Sequence, residues 1–138
     1  MNNRIDQLVS LIFSIRKFTH EQVAQKNDKN FSYLQTITLK FIKEKSPQMS
    51  EISDFLAITP PSATSLVNSL VKSGMIKRKA DQTDRRKVKI EISAKGEKHL
   101  KEIIDKTTER MKKNLAVLSE KDQKNLLEIL SKIANSKK

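Results

Sequence analysis

The 138-residue sequence predicts a mainly α-helical protein with one small β-hairpin. Three observations predict this class. Glycine occurs at only two positions and proline at only three, and all five lie between residues 47 and 96. The segments on either side carry apolar residues at helical spacing, whereas residues 87–92 alternate charged and apolar side chains, as a half-buried strand does. The breaks between elements are therefore concentrated in the middle of the chain.

Two helices are predicted before the first proline. The first runs from about Ile5 to Gln25, and polar residues 27–30 separate it from the second. The second ends before Pro47, because the residue preceding a proline disfavours helical backbone. The predicted inner-face residues are Ile5, Leu8, Val9, Ile12, Ile15 and Thr19 in the first helix, and Phe31, Leu34, Ile37, Thr38, Phe41 and Ile42 in the second.

Two shorter helices follow, joined by a tight turn. Ser50 is the predicted N-cap of a helix over residues 51–57. Thr59 is the predicted N-cap of the next helix, Pro60 takes its first position, and Gly74 ends it in a left-handed conformation. The residues predicted to be buried are Ile52, Phe55 and Leu56 in the shorter helix, and Ala63, Leu66, Val67, Leu70 and Val71 in the longer one.

A hairpin and two more helices complete the prediction. Residues 75–80 and 87–92 form the two strands, and the polar residues 81–86 connect them. Ser93 and Ser119 are the predicted caps of the fifth and sixth helices. The apolar residues assigned to these helices are Leu100, Ile103, Ile104, Thr107, Met111, Leu115 and Leu118, and then Leu126, Leu127, Ile129, Leu130 and Ile133.

The charge of the chain is high and unevenly placed. The formal net charge is +12 at pH 7, and residues 72–90, with eight basic and two acidic side chains, hold half of that excess. Three of the six arginines lie between residues 78 and 86. The absence of cysteine excludes disulfides and thiolate chemistry, and no apolar run is long enough to span a membrane. We expect a cytoplasmic protein with a polyanionic partner and no membrane contact.

The second helix of the tight pair has an outer face suited to DNA. Its side chains are short or basic, with no acidic group: Pro61, Ser62, Thr64, Ser65, Asn68, Ser69 and Lys72. Such a face can enter the major groove without repelling phosphate, and Asn68 can pair bidentately with adenine. An ordinary surface helix is the alternative. The adjacent arginines at the hairpin tip, Arg85 and Arg86, favour nucleic-acid binding, because they can reach a neighbouring minor groove.

Residues 50–96 resemble the winged helix-turn-helix core of the MarR-type (multiple-antibiotic-resistance) transcriptional regulators. The matching stretches are Ile52–Leu56, Thr59–Thr64, Leu66-Val67, Leu70-Val71 with Gly74, Asp81–Lys87 and Ile92–Gly96. The Asp-x-x-Asp-Arg-Arg motif of the hairpin is the most specific of them. The flanking helices agree in number and length. The resemblance implies one intertwined domain: an N-terminal dimerisation helix (1–30), the winged core (31–96) and C-terminal dimerisation helices (97–138).

This resemblance implies a homodimer that binds a near-palindromic operator in double-stranded DNA, as a repressor rather than an activator. Arg86 would enter the minor groove, Asp84 would orient it, and Arg85 and Lys87 would complete the wing contacts. A small aromatic or anionic effector is implied by the family, without pocket residues. Three positions depart from many members: Ser65 and Ser69 replace arginines, and Asn68 lacks the carboxylate that an ion pair to the wing needs.

Other functions find less support in the residues. Enzyme activity is not expected, because His20 and His99 lie far apart and glycine is too scarce for a phosphate-binding loop. No cofactor or metal is expected, and solvated histidines are the default interpretation. The competing class is a binding module without specific regulation. An architectural DNA protein would bind many sequences equally, whereas a protein–protein adaptor would not need the basic hairpin.

Overall fold

The computed structural model describes residues 3–24 and 33–136, with side chains described in 3–17 and 33–136. Within these residues six helices and two strands follow the predicted order. They are α1 (Asn3–Ala24), α2 (Tyr33–Lys45), α3 (Met49–Leu56), α4 (Pro60–Lys72), β1 (Ile76–Ala80), β2 (Val88–Ile92), α5 (Ala94–Leu115) and α6 (Glu120–Asn135). The mainly helical fold with one hairpin is confirmed. The positions assigned to Gln25 and Phe31, and the side chain of Thr19, lie outside the described residues.

The chain divides into two compact units, residues 1–104 and 105–138. The hydrophobic core lies in the first unit and comprises Leu39, Ile42, Ile52, Val67, Leu70, Met75, Ile76, Ile90, Leu100 and Ile103. It joins α2, α3, α4, the hairpin and the start of α5. In contrast, α6 contains no buried residue, although its apolar residues recur at helical spacing. The described side chains of α1 are all exposed as well.

The inner face of α2 differs in part from the prediction. Thr38 and Ile42 are buried as expected, but Leu34 is exposed. Thr36 and Leu39, which the prediction omitted, are buried instead. The buried face is therefore turned relative to the predicted stripe, because α2 meets both α3 and β2.

Ser50 is not the N-cap of α3, so that prediction is wrong. The helix begins at Met49 with Gln48 as its N-cap, and the backbone N–H of Gln48 donates to the Glu51 carboxylate at 3.1 Å. Glu51 stands at the third helical position, from which an acidic side chain reaches back to the cap residue. Ser50 is therefore inside the first turn of the helix.

Phe55 was expected to be buried, but 52% of its surface is exposed. Its ring stacks on that of Phe41 with centroids 4.1 Å apart and an interplanar angle of 5°. Ile52 and Ser53 provide the buried side of α3. The helix ends at Leu56 because Ala57 takes a left-handed conformation with φ of 52°.

The boundaries of α4 follow the prediction closely. The Thr59 hydroxyl accepts a hydrogen bond from the Ser62 backbone N–H at 3.3 Å, and Pro60 is the first helical residue. Gly74, with φ of 78°, follows the helix end. The inner face consists of the buried residues Ala63, Val67 and Leu70, with Leu66 and Val71 half-buried beside them.

The antiparallel hairpin has an inner and an outer face. Residues directly opposite each other share a face. The register pairs Ile76 with Ile92, Arg78 with Ile90 and Ala80 with Val88 on the inner face, and Lys77 with Glu91 and Lys79 with Lys89 on the outer face. Val88 remains exposed, so the predicted inward alternation of β2 holds fully only at Ile90. The Ile90 N–H also donates to the Pro47 carbonyl at 2.9 Å, which fixes the hairpin to the α2–α3 connection.

Both predicted serine caps of the last helices are confirmed. The Ser93 hydroxyl accepts from the Gly96 N–H at 3.0 Å, and the Ser119 hydroxyl accepts from the Asp122 N–H at 3.1 Å. Leu118 had been assigned to the fifth helix, which is wrong because α5 ends at Leu115. Leu118 instead lies in the turn before Ser119, where its N–H donates to the Leu115 carbonyl.

Candidate DNA-binding surface

The residues of α4 that the sequence predicts to face DNA lie on the exposed side of that helix. All seven of its predicted residues are exposed, namely Pro61, Ser62, Thr64, Ser65, Asn68, Ser69 and Lys72. They face away from the buried stripe of the same helix, because α4 is amphipathic with its apolar residues in the core. We call these seven residues the reading face. It contains no acidic side chain, so phosphate groups can approach it without repulsion.

Two hydroxyls of the reading face are bound within the first turn of α4. The Thr59 hydroxyl donates to the Ser62 hydroxyl at 2.9 Å while it accepts the cap hydrogen bond. The Thr64 hydroxyl donates to the Pro60 carbonyl at 3.0 Å. These contacts fix the rotamers at the helix start. The backbone N–H groups there also form the positive end of the helix dipole, which favours a bound phosphate.

Two neighbouring elements hold side chains of the reading face from either side. The Gln35 amide of α2 donates to the Ser69 hydroxyl at 3.2 Å. The Arg78 guanidinium of β1 donates to the Asn68 side-chain oxygen. The second contact joins α4 to the hairpin, where an ion pair would require a carboxylate at position 68. A charged donor and a neutral amide oxygen make the link instead.

Arg78 and Gln35 were not among the predicted site residues. For Arg78 a signal was available, because alternation along β1 places it on the same face as Ile76 and therefore on the side of the hairpin that packs inward. For Gln35 no sequence signal existed, since the contact joins residues 34 positions apart on two different helices.

The wing is the loop of residues 81–87 between the two strands, and two carboxylates shape it from within. Asp81 accepts from the Thr83 backbone N–H at 3.0 Å and from the Thr83 hydroxyl at 2.9 Å. These bonds lower the pKa of Asp81 from its ordinary value, and the bond from the Thr83 backbone has the largest effect. The positive charges of Lys89 and Lys87 lower it further. The carboxylate is therefore ionised at neutral pH, and the turn that it stabilises is intact.

Asp84 accepts from the Arg86 backbone N–H at 3.0 Å. The resemblance implies that Asp84 orients Arg86, and the hydrogen bond that Asp84 makes is with the backbone of Arg86 rather than with its guanidinium. Arg85, Arg86 and Lys87 are exposed at the tip. Within the described part of the chain, neither guanidinium at the tip has a hydrogen-bond or ion-pair partner. Their charges are therefore available to an external anion.

Other kinds of site find little in the described residues. Within 3–17 and 33–136 no three His, Asp or Glu side chains are grouped as metal ligands would be. His99 is half-buried in α5, and the side chain of His20 lies outside the described residues. None of the helices described combines the length and the apolar character needed to cross a membrane.

A helix-turn-helix with an exposed polar second helix and an arginine-tipped hairpin beside it defines a winged-helix protein of the DNA-binding class. A model of the MarR family matches residues 29–87. YpoP of Bacillus subtilis, an uncharacterized HTH-type transcriptional regulator, is 26% identical over 125 residues, which is 90% of this chain and 89% of that protein. Over residues 29–87 the chain therefore resembles the MarR family of winged-helix transcriptional regulators.

Solved structures show the same fold over nearly the whole chain. The transcriptional regulator BldR from Sulfolobus solfataricus is 26% identical with a TM-score of 0.70, covering 99% of both chains. FabT of Streptococcus pneumoniae, solved in complex with DNA, is 20% identical with a TM-score of 0.73, covering 98% of this chain and 96% of that one. The family expected from residues 50–96 is confirmed.

Proposed function

We propose that this regulator binds double-stranded DNA sequence-specifically as a homodimer and represses transcription from a near-palindromic operator. One observation carries the proposal. The reading face is exposed and free of acidic groups, and the wing beside it carries Arg85 and Arg86, which are exposed and whose guanidinium groups have no partner among the described residues. This combination suits a helix that enters the major groove while the hairpin reaches the adjacent backbone and minor groove.

The expected roles follow from position. Ser62, Thr64, Ser65, Asn68 and Ser69 would contact base edges or phosphates in the major groove, with Pro61 and Lys72 at the two ends of the contact. Arg86 would enter the minor groove, where narrow A·T-rich segments attract arginine. Arg85 and Lys87 would bind the backbone. Asp84 would hold the tip of the wing in shape by its bond to the Arg86 N–H.

The exposed apolar faces of the terminal helices support the homodimer. Along α1, Leu8 and Ile12 are 49% and 58% exposed, and along α6 Leu127 and Leu130 are 68% and 53% exposed. Apolar faces of this kind on a small protein favour association, because their burial removes apolar surface from water. A two-fold dimer would place its two reading faces about one helical turn of DNA apart, roughly 34–36 Å.

Repression and its release are the finer parts of the proposal. Both are supported by the likeness to the MarR family rather than by a contact in this chain. A small aromatic or anionic effector would act by favouring a spacing of the two reading faces that does not match DNA. A cytoplasmic location is proposed because the ligand is DNA.

Selection from a random duplex library at near-physiological salt tests the proposal. We expect an enriched inverted repeat whose spacing gives the separation of the two reading faces. Arg86→Ala should weaken binding to that sequence strongly, whereas Lys121→Ala, which removes one charge from α6, should not. Salt-sensitive binding with no enriched motif would contradict specific regulation and favour an architectural protein. No binding by wild-type protein freed of small ligands would favour a protein–protein adaptor.

A further inference from the structure

We propose that Arg78 is a positioning residue that fixes the Asn68 amide as a hydrogen-bond donor, so that Asn68 selects guanine or thymine at one position of each half-site. This inference rests on the proposed function. It goes beyond that function by naming the base that one side chain reads and the residue that decides the reading. It differs from the adenine pairing that the sequence alone suggests for Asn68.

The contact with Arg78 defines the orientation of the Asn68 amide, whose oxygen faces the guanidinium. Guanidinium groups carry five N–H donors and no acceptor, so only the amide oxygen can face one. The assignment of oxygen and nitrogen in Asn68 therefore follows from the chemistry of its partner. The hydrogen bond is charge-assisted, which makes it stronger than a bond between neutral groups.

The backbones that carry Arg78 and Asn68 are both held by regular structure. Arg78 lies at the centre of β1, directly opposite the fully buried Ile90, so the strand register fixes its backbone. Asn68 lies on α4 one position after the buried Val67, so the helix backbone is equally fixed. Two rigid elements thus present the donor and the acceptor to each other.

The bases that Asn68 can read depend on which of its amide atoms are available to DNA. Because its oxygen faces Arg78, Asn68 presents the two N–H bonds of its amide nitrogen to DNA in preference to the oxygen. In the major groove guanine presents the acceptors N7 and O6, and thymine presents O4. Bidentate pairing with adenine needs the amide oxygen to accept from N6 while the nitrogen donates to N7. The bond to Arg78 competes for that oxygen and disfavours adenine.

Two serine hydroxyls of the reading face are also left as hydrogen-bond donors. The Ser62 hydroxyl oxygen accepts from Thr59, and the Ser69 hydroxyl oxygen accepts from Gln35. In each case the hydroxyl hydrogen is left to donate outward. The reading face is therefore biased towards donors, which match acceptor-rich base edges.

Charge strengthens the same arrangement. An aspartate at position 68 would neutralise Arg78, whereas the amide leaves the positive charge of Arg78 in place beside the reading face. That charge attracts the phosphate backbone, which brings the amide close to the groove floor.

The experiment compares base preferences selected from a random duplex library by wild-type protein and four single variants. Asn68→Ala locates the position that Asn68 reads, because preference relaxes there alone. Wild-type protein is expected to enrich guanine or thymine at that position. Arg78→Met frees the amide oxygen and should raise the relative enrichment of adenine there on the order of tenfold, with other positions unchanged.

Two variants complete the design. Lys77→Met is the matched control, because it removes a charge from the same strand on the opposite face, and it should weaken all duplexes equally without changing any preference. Asn68→Asp keeps an acceptor for Arg78 but has no donor, so the guanine or thymine preference should disappear. This variant tests the inference even if Arg78→Met fails to fold, which circular dichroism would show.

Adenine enriched by wild-type protein at the Asn68 position would overturn the inference. So would an unchanged preference in folded Arg78→Met, or a guanine or thymine preference retained by Asn68→Asp. If Asn68→Ala relaxes no position, Asn68 contacts phosphate and the inference is also wrong. Wild-type protein that enriches no motif would refute the proposed function itself, an outcome distinct from the others.

Discussion

The helices α4 and α6 are built alike and are used differently. Each begins at a hydroxyl side chain, Thr59 or Ser119, that accepts the backbone N–H three residues on. Both carry apolar residues at helical spacing. Yet α4 buries three residues in the core, whereas α6 buries none. The exposed face of α4 carries mainly short polar side chains. The exposed face of α6 includes leucine and isoleucine.

This difference separates two kinds of partner. An apolar stripe that already packs in the chain leaves the other side of its helix to bind something polar, and for α4 we propose DNA. An apolar stripe that is exposed among the described residues is stabilised most by packing against a protein surface, because that removes apolar area from water. For α6 we propose a second copy of the same chain.

The largest expected effect comes from placing one carboxylate on each of these exposed faces. Leu130→Glu should raise the free energy of the dimer by about 3–5 kcal/mol, because it buries an unpaired charge in the proposed interface. Ser65→Glu should leave the dimer unchanged and greatly weaken DNA binding. Sedimentation equilibrium and duplex titration measure the two effects. If the dimer is as stable with Leu130→Glu as without it, α6 is not part of the dimer interface.

A second prediction concerns how tightly the start of α5 packs against Met75 and Ile92. A Cβ added at Gly96 would lie 2.0 Å from the Met75 carbonyl oxygen, whereas one at Gly74 would lie 3.6 Å from the nearest atom, in the Lys95 side chain. Gly96→Ala should therefore lower the free energy of unfolding by about 3 kcal/mol. Gly74→Ala, strained only by φ of 78°, should lower it by about 1–2 kcal/mol. Urea unfolding gives both values, and the reverse order would contradict the packing described here.

The matched caps of α4 and α6 give a smaller effect. Thr59→Ala and Ser119→Ala each remove one cap hydrogen bond and should each cost about 1 kcal/mol in the free energy of unfolding. Thermal unfolding followed by circular dichroism measures the cost, with Thr59→Ser and Ser119→Thr as controls that retain a hydroxyl. A cost at only one helix would show that the two starts are not equivalent.

The smallest expected effect is the response of the wing to acid. The pKa of Asp81 is lowered by its bonds to Thr83, so the carboxylate form is favoured in the folded protein. The turn should therefore persist above the folded pKa and loosen as pH falls through it. The Thr83 amide resonance, followed by NMR, should titrate with a midpoint below 3.8, the ordinary value for the group. A midpoint at or above 3.8 would contradict this, and Asp81→Asn, which lacks the carboxyl group, is the control.

Much of the fold could be predicted from local chemistry. Thr59, Pro60 and Gly74 define α4 because capping and left-handed backbone depend on the residues themselves. The hairpin was predictable because its alternation and polar connector are local too. The start of α3 was predicted wrongly because serine is a favoured N-cap residue, which made Ser50 the expected cap. The side chain of Glu51 instead binds the backbone of Gln48, which is the cap. Phe55 was misplaced because its burial depends on how α3 meets α2.

The candidate site was predicted only as far as its exposed residues. Alternation along β1 is enough to assign Arg78 to the inner face of the hairpin, but its partner Asn68 depends on how α4 packs against β1. The hydrogen bond from Gln35 to Ser69 likewise depends on helix packing. Such contacts decide which atoms of the reading face remain available, and pattern analysis of one sequence does not reach them.

We propose that two copies of the chain pair through their exposed apolar helices and so present two reading faces. Sedimentation equilibrium of the wild-type protein at micromolar concentration tests it most directly. We predict a single species of twice the 15.8 kDa mass of one chain. A species of 15.8 kDa would contradict the account, because the apolar faces of α1 and α6 would then remain exposed in solution.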